Sequence, residues 1–386
     1  MRNHPLLTEA QKSRYDEFCS FVRQHVEPAA AAWDQEQGVP RDIIALCGQA
    51  GFTGGFIPKE FGGGGWDAVT FGLLNEAFGA ASSSLTGLFT VQNMVAGTLV
   101  KWGTKEQQNH WLPKLATGER VASFAMTEPK VGSDLQAIET TFTPNGDGWL
   151  LTGTKKWITY SGIADVFLVF GKWEDQSIAC IIPSNSPNIT ITPLKDMLGF
   201  RGVYLSQIEF KGVEIAPENV VGKPGLAIKY VAPFGLHYGR ISTAWSSTGL
   251  IRACLETAAT FVSQRRAAEK ALSEHGQIQH LLADMGVEVE AARHFCMMAC
   301  LAEDARVPEA MERALTAKYF ASRAASRAAT NTIQIMGAAG CYEENMAARF
   351  YRNAKVMEII EGTNQVLQRV LGKSAYKKYR KQTNPK

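Results

Sequence analysis

The sequence predicts an α+β protein in which helical segments at both ends enclose a β-rich middle. Three observations carry this. Apolar residues recur at helical spacing through residues 1–120. The period then shortens into seven short β-rich runs between 121 and 226. From 227 helical spacing returns in long amphipathic stretches. The chain has 386 residues, of which 45% are apolar and 20% charged. That length suggests two or three domains with true cores, and the composition excludes a mainly disordered chain. The divisions expected are a helical domain over 1–120, a middle β-barrel over 121–226 and a helical bundle over 227–386.

In the first block, Thr8-Glu9-Ala10-Gln11 fits a capping box, and Phe18, Phe21, Val22 and Val26 follow at helical spacing. Pro40 opens a helix that Gly51 closes. Residues 86–102 form another, stopped by Gly103, and Thr104 to Gln107 repeats the cap pattern. The β-rich runs are Val121–Met126, Ile138–Phe142, Trp149–Thr152, Val166–Phe170, Ile178–Ile182, Ile189–Ile191 and Leu205–Phe210. Asn145-Gly146-Asp147-Gly148, Pro183–Pro187 and Gly212 punctuate them as turns. So many short strands in about 100 residues point to a small barrel or sandwich. Helices are expected over 228–266, 274–303 and 308–337.

The net charge is +3, but Lys373, Lys377, Lys378, Arg380, Lys381 and Lys386 crowd the C-terminal end without an acidic neighbour. The body is therefore slightly acidic, which argues against nucleic acid as the partner. No run of 18 apolar residues suggests a membrane span, and the N-terminus has no signal-like apolar region. Seven scattered cysteines without a CxxC pair give no metal site and read as free thiols of a cytoplasmic protein.

Three segments could carry chemistry. Thr127-Glu128-Pro129-Lys130-Val131-Gly132-Ser133-Asp134 leaves a strand and turns through small residues that can present N–H and hydroxyl donors. Lys156-Trp157-Ile158-Thr159 offers a flat ring and a hydroxyl at a strand end. Glu361 follows Ile359-Ile360 and precedes Gly362-Thr363-Asn364-Gln365. A carboxylate in such apolar company is partly desolvated, which raises its pKa toward that of a general base. Each segment alone also reads as an ordinary turn, strand or helix boundary.

Taken together, "FAMTEPKVGSD", "KKWITYSGIADVFLVF", "GRISTAWSSTG", "QIMGAAG" and "RNAKVMEIIEGTNQ" resemble the acyl-CoA dehydrogenase family, in order and over nearly the whole chain. The resemblance implies a helical domain, a β-barrel and a four-helix bundle, with FAD between barrel and bundle. It implies Glu361 as the base that takes an α-proton from an acyl thioester while a hydride leaves the β-carbon for flavin N5. The thioester oxygen would be held by a ribityl hydroxyl and the Glu361 N–H. The resemblance places Phe124, Met126, Thr127, Gly132, Ser133, Trp157, Ile158, Thr159, Thr363 and Gln365 at the FAD. Arg265, Gln334 and Gly337 would reach FAD from a neighbouring subunit, in a homotetramer or homodimer. Ser133, His237, Arg240 and Gly362 would line the substrate channel. The redox step also calls for an electron acceptor.

Two positions depart from the family pattern. Arg265-Arg266-Ala267-Ala268-Glu269-Lys270 lacks the phenylalanine of the family's R-x-F pair, and His237 stands where an Asp is usual. The phrases "YGRISTAWSSTG" and "AKVMEIIEG" are similar to a branch that oxidises short acyl units on acyl carrier proteins in polyketide and nonribosomal-peptide biosynthesis. Three readings stay open beside it: an ordinary acyl-CoA α,β-dehydrogenase of fatty or amino acid catabolism, a flavin oxidase or monooxygenase, and a nucleic-acid-binding member of the fold.

Overall fold

A computed structural model describes residues 4–380, so Lys381 and Lys386 of the basic tail lie outside the described residues. The chain begins with α1 (Glu9–Phe21), α2 (Ala30–Glu36), α3 (Arg41–Gln49), α4 (Ala68–Gly79), α5 (Ser83–Trp102) and α6 (Lys105–Ala116). Both capping boxes form. Gln11 N donates to Thr8 Oγ1 at 3.3 Å while Thr8 N donates to Gln11 Oε1 at 3.0 Å, and Thr104 and Gln107 repeat the exchange. Each box satisfies backbone donors that a helix start leaves unpaired. The sequence pattern singled out no helix at α4, for a physical reason. Every one of its residues is buried, so it shows no polar face from which a period could be read.

The middle of the chain holds β1 (Ala122–Ala125), β2 (Thr141–Asn145), β3 (Gly148–Ile158), β4 (Val166–Trp173), β5 (Gln176–Pro183), β6 (Ile189–Pro193) and β7 (Ser206–Ile215). All seven β-rich runs become strands of one curled sheet. β4 pairs with β5 along one edge and with β1 and β2 along the other. The path then continues through β3 and β7 to β6. β2 starts three residues later than its apolar run suggests. A two-residue turn at Gly146-Asp147 fixes the register Asn145↔Gly148, and Ile138 is buried in the preceding loop instead. β3 runs well past Thr152 because it pairs with β7 down to Ile158↔Ser206, absorbing two register shifts on the way.

The last part contains α7 (Ala232–Gln264), a ribbon of β8 (Arg266–Ala267) and β9 (Lys270–Ala271), α8 (Gly276–Asp304), α9 (Ala310–Met336), α10 (Ala338–Cys341), α11 (Met346–Met357) and α12 (Asn364–Tyr379). Trp245 Nε1 donates to Cys300 Sγ at 3.1 Å and Thr248 Oγ1 meets Cys296 Sγ at 3.5 Å, so α7 and α8 run antiparallel. Thr332 Oγ1 donates to Cys254 O, placing α9 beside α7. The helix expected to include Arg265 ends one residue earlier. Arg265 is extended, and Ala268 and Glu269 both take positive φ in a tight turn between β8 and β9.

The terminal helical regions form one packed body. Thr86 and Thr90 of α5 share hydrogen bonds with Ser246 and Ser242 of α7 at 2.8 and 2.7 Å. Fully buried Glu76 of α4 accepts from Arg293 of α8 at 2.8 Å. No helix among the described residues is long and apolar enough to cross a membrane, and none of the cysteines is in a disulfide.

Candidate active site

Glu361 lies in the turn between α11 and α12. It takes a left-handed conformation, φ 55°, followed by Gly362 at φ 92°. A non-glycine residue there costs about 1–3 kcal/mol and needs neighbours to hold it. The turn closes when Asn364 N donates to Glu358 O at 3.0 Å. Lys318 of α9 donates to Gly362 O at 2.8 Å, and Arg240 Nε of α7 reaches Glu361 O at 3.4 Å. The carboxylate fits against α7 only because residue 239 is glycine. A Cβ there would stand 2.1 Å from Glu361 Oε2.

That oxygen is buried and has no hydrogen-bond partner among the described residues. Burial pushes the carboxyl up to about 7, and the charges of Arg240 and Lys318 limit the rise. Among the described residues the Glu361 N–H also meets no acceptor. The desolvation expected at Glu361 is present, but packing against Gly239 of α7 supplies it, since the flanking Ile359 is 54% exposed. The site offers a proton acceptor tuned near neutrality beside an unpaired backbone donor.

A second cluster lies on the curled sheet. Lys156 N donates to Thr127 O at 2.9 Å and Ser123 Oγ donates to Thr159 O at 2.8 Å, so the 123–127 and 156–159 segments run edge to edge. Tyr160 Oη pins this edge to α5 through Ser84 O at 2.9 Å. Trp157 has φ 63° and is 46% exposed, with Lys156 Nζ 4.7 Å from its ring centroid. A strained, exposed aromatic on a pinned edge marks a ligand surface. The hydroxyls of Thr127, Ser133 and Thr159 have no protein partner among the described residues. Polar groups without partners beside an exposed ring fit a flat cofactor with hydrogen-bonding edges, as FAD is.

α5 connects the two clusters. Thr159 Cγ2 lies 3.7 Å from where a Cβ of Gly87 would be, and Met94 Sδ lies 3.0 Å from the matching position on Gly239. Gly87 and Met94 share one face of α5, about 10 Å apart along it. The general base and the Thr159 edge thus stand on the same side of one helix.

Other candidate residues are placed differently. Phe124, Met126 and Ile158 turn their side chains into the core, leaving only backbone for a ligand. Gly132, Ser133 and Gln365 are exposed, and Thr363 Oγ1 caps α12 by accepting from Val366 N at 3.4 Å. His237 is buried and faces α8, where its Nε2 lies 2.7 Å from Glu303 Oε2. It sits on the side of α7 away from Gly239, so the structure does not bring it to Glu361. Lys130 lies 3.6 Å from Glu139. Arg265 stands about 37 Å of helix beyond Arg240. Gln334 and Gly337, exposed at the end of α9, share that distant end of the bundle.

Sequence reasoning missed three supports of the site. Lys318 falls on the alanine-rich buried stripe of α9, between Ala314 and Ala321, and has no exposed surface. Lys155 points inward from β3 and donates to Glu128 Oε1 at 2.8 Å. A lysine at an inward position of an amphipathic pattern was the available signal for both. Gly239 could not have been found, because its role depends on a residue 122 positions away.

A curled sheet between helical units, carrying a flat-ligand surface near a desolvated carboxylate, defines a class of cofactor-dependent oxidoreductase. Residues 8–119, 123–213 and 229–376 match the family models for the N-terminal, middle and C-terminal domains of acyl-CoA dehydrogenase. The mitochondrial short-chain specific acyl-CoA dehydrogenase of Bos taurus is 33% identical over 367 residues, which cover 93% of this chain and 88% of that protein. The structure of butyryl-CoA dehydrogenase from Megasphaera elsdenii superposes with TM-score 0.92 at 29% identity, covering 96% of this chain and 98% of that one. FkbI, described as serving biosynthesis of the methoxymalonyl extender unit of a polyketide, matches with TM-score 0.86 at 27% identity, covering 94% and 99%. The chain belongs to the acyl-CoA dehydrogenase family of flavoprotein oxidoreductases, which oxidise acyl thioesters.

Proposed function

We propose that this protein oxidises a short acyl thioester with FAD, Glu361 acting as general base. The observation that carries the reading is the buried, unpartnered Glu361 Oε2, held near neutrality beside a free backbone N–H. An α-proton of a thioester is weakly acidic. The acceptor must therefore be desolvated, and the thioester oxygen must meet a donor as charge develops on it. Glu361 supplies both functions from one residue, its carboxylate taking the proton and its N–H facing the oxygen. Arg240 fixes the carbonyl of the same residue. FAD, when bound, supplies the two-electron acceptor for the hydride from the β-carbon. Thr127, Trp157 and Thr159 would hold it, with Thr363 and Gln365 at the start of α12. Arg265, Gln334 and Gly337 would serve the cofactor of a neighbouring copy in a homodimer or homotetramer. Titrating the protein with FAD should stabilise it by about 2.7 kcal/mol at a hundredfold excess over Kd, read as a thermal shift. No shift and no bound flavin absorbance would overturn the reading. Anaerobic bleaching of that flavin by a short acyl thioester tests the substrate class.

A carrier-bound substrate is favoured over free CoA by one observation. Arg369, Lys373 and Lys377 line one face of α12 and Arg380 follows at its C-terminal end, all exposed and without an acidic partner among the described residues. That helix begins two residues after Gly362, so the stripe leads away from the base. The likeness to FkbI supports the same direction. His237 does not add to it, being engaged by Glu303. Carrier proteins are typically acidic, and the stripe would steer one. The same acyl group should give a kcat/KM about tenfold or more higher on its carrier at low salt, with the advantage shrinking as salt rises. Equal values, or a preference for CoA, would return the protein to ordinary acyl-CoA oxidation.

A further inference from the structure

Lys318 is fully buried on α9, yet no step described above uses it. Its Nζ donates to Gly362 O at 2.8 Å, to Asn364 Oδ1 at 3.3 Å and to Glu358 O at 3.4 Å. These three acceptors bracket Glu361 on both sides. Ser322, one turn further along α9, donates to the same Asn364 Oδ1 at 3.1 Å. A buried lysine with no exposed surface is costly unless its donors are used, and here all three ammonium donors have acceptors. The groups held are carbonyls and a side-chain amide of one turn, the turn whose left-handed backbone aims the base.

We propose that Lys318 is a positioning residue, clamping the 358–364 turn so that the Glu361 carboxylate and N–H keep their aim and placing a positive charge beside that carboxylate. The proposal rests on the reading of Glu361 as base. The charged groups around the pair are Arg240 from α7, Glu358 from the turn itself and Lys318 from α9; Asn364 and Ser322 are neutral. Burial pushes Lys318 down to about 7, and the Glu361 charge pushes it back up. Near neutral pH the two groups therefore titrate as a coupled pair. Removing the ammonium takes away one of the two cations that stabilise the Glu361 carboxylate, so its proton is held to higher pH.

The test is Lys318→Met, of similar length and without charge, together with Lys318→Gln, which keeps a donor for Gly362 O. The infrared band of the protonated Glu361 carboxyl, assigned by its loss in Glu361→Gln, is followed against pH. This readout needs no substrate, so it judges Lys318 even if the thioester reading fails. The band should persist to a pH about one unit or more higher in both variants. The acidic limb of kcat/KM should move by the same amount. In Lys318→Met, kcat should also fall further than in Lys318→Gln, with KM little changed, because the turn loses its clamp as well as its charge. Folded, flavin-loaded variants with wild-type titration and an unmoved limb would overturn the proposal. So would failure of both to fold, which would assign Lys318 to the fold alone.

Discussion

Glu361→Gln should keep the fold and bind FAD, yet reduce its flavin about 10²–10⁴-fold more slowly on mixing with substrate. Gln is nearly isosteric, so the space left by Gly239 still accommodates it, but an amide oxygen cannot accept the α-proton. The pH dependence adds a second, independent signature. Burial raises the Glu361 carboxyl from the ordinary 4.5 to about 7, and only the ionised form is a base. Wild-type kcat/KM should therefore rise with pH up to about 7 and level off above it. The limb should be absent from whatever activity remains in the variant. Stopped-flow reduction under anaerobic conditions across pH 5–9 measures both. A variant that reduces its flavin at the wild-type rate would remove Glu361 from the reaction.

The second large effect concerns stability. Lys155 and Glu128 are an ion pair with essentially no exposed surface, at 2.8 Å. Lys155 also donates to Met126 O at 3.0 Å, and Glu128 accepts from the N–H groups of Glu139 and Thr140 at 2.6 and 2.9 Å. The pair ties the base of the Thr127 loop to β3. Burial opposes the Glu128 charge, but Lys155 and the donors outweigh it and hold the carboxyl below the ordinary range. Lys155→Met leaves that carboxylate buried without its cation and should cost about 3–5 kcal/mol. The double variant Lys155→Met/Glu128→Gln should recover part of the loss, since no charge is then stranded. Urea unfolding of wild type, both single variants and the double variant measures this coupling. Because the folded carboxyl titrates low, its contribution is present above the unfolded pKa and fades as pH falls through the folded one. A single variant within about 1 kcal/mol of wild type would mean the pair does not hold the loop.

Much of this architecture was written locally. Capping boxes at Thr8 and Thr104, and turns at Gly51 and Gly146, act through neighbours a few residues away, so they survive in the sequence as motifs. The seven strands were legible because β-rich runs between turn residues have few other conformations open to them. Limits were less legible. β3 extends as far as β7 will pair with it, and α7 stops where the β8–β9 ribbon turns. Both are decided by partners, not by the residues at the boundary.

The sequence by itself determined the order of helical, β and helical units. It also determined the Glu361 turn with its apolar flank and the loop segments that carry Thr127 and Trp157. Only the tertiary structure decided that Glu361 Oε2 would be left without a partner against Gly239, and that Lys318 would sit under its turn. It likewise turned His237 to Glu303. The physical reason is range. A cap or turn is settled by bonds within a few residues. The ionisation of a carboxylate depends on which distant charges and apolar surfaces packing brings against it, and no local pattern records that.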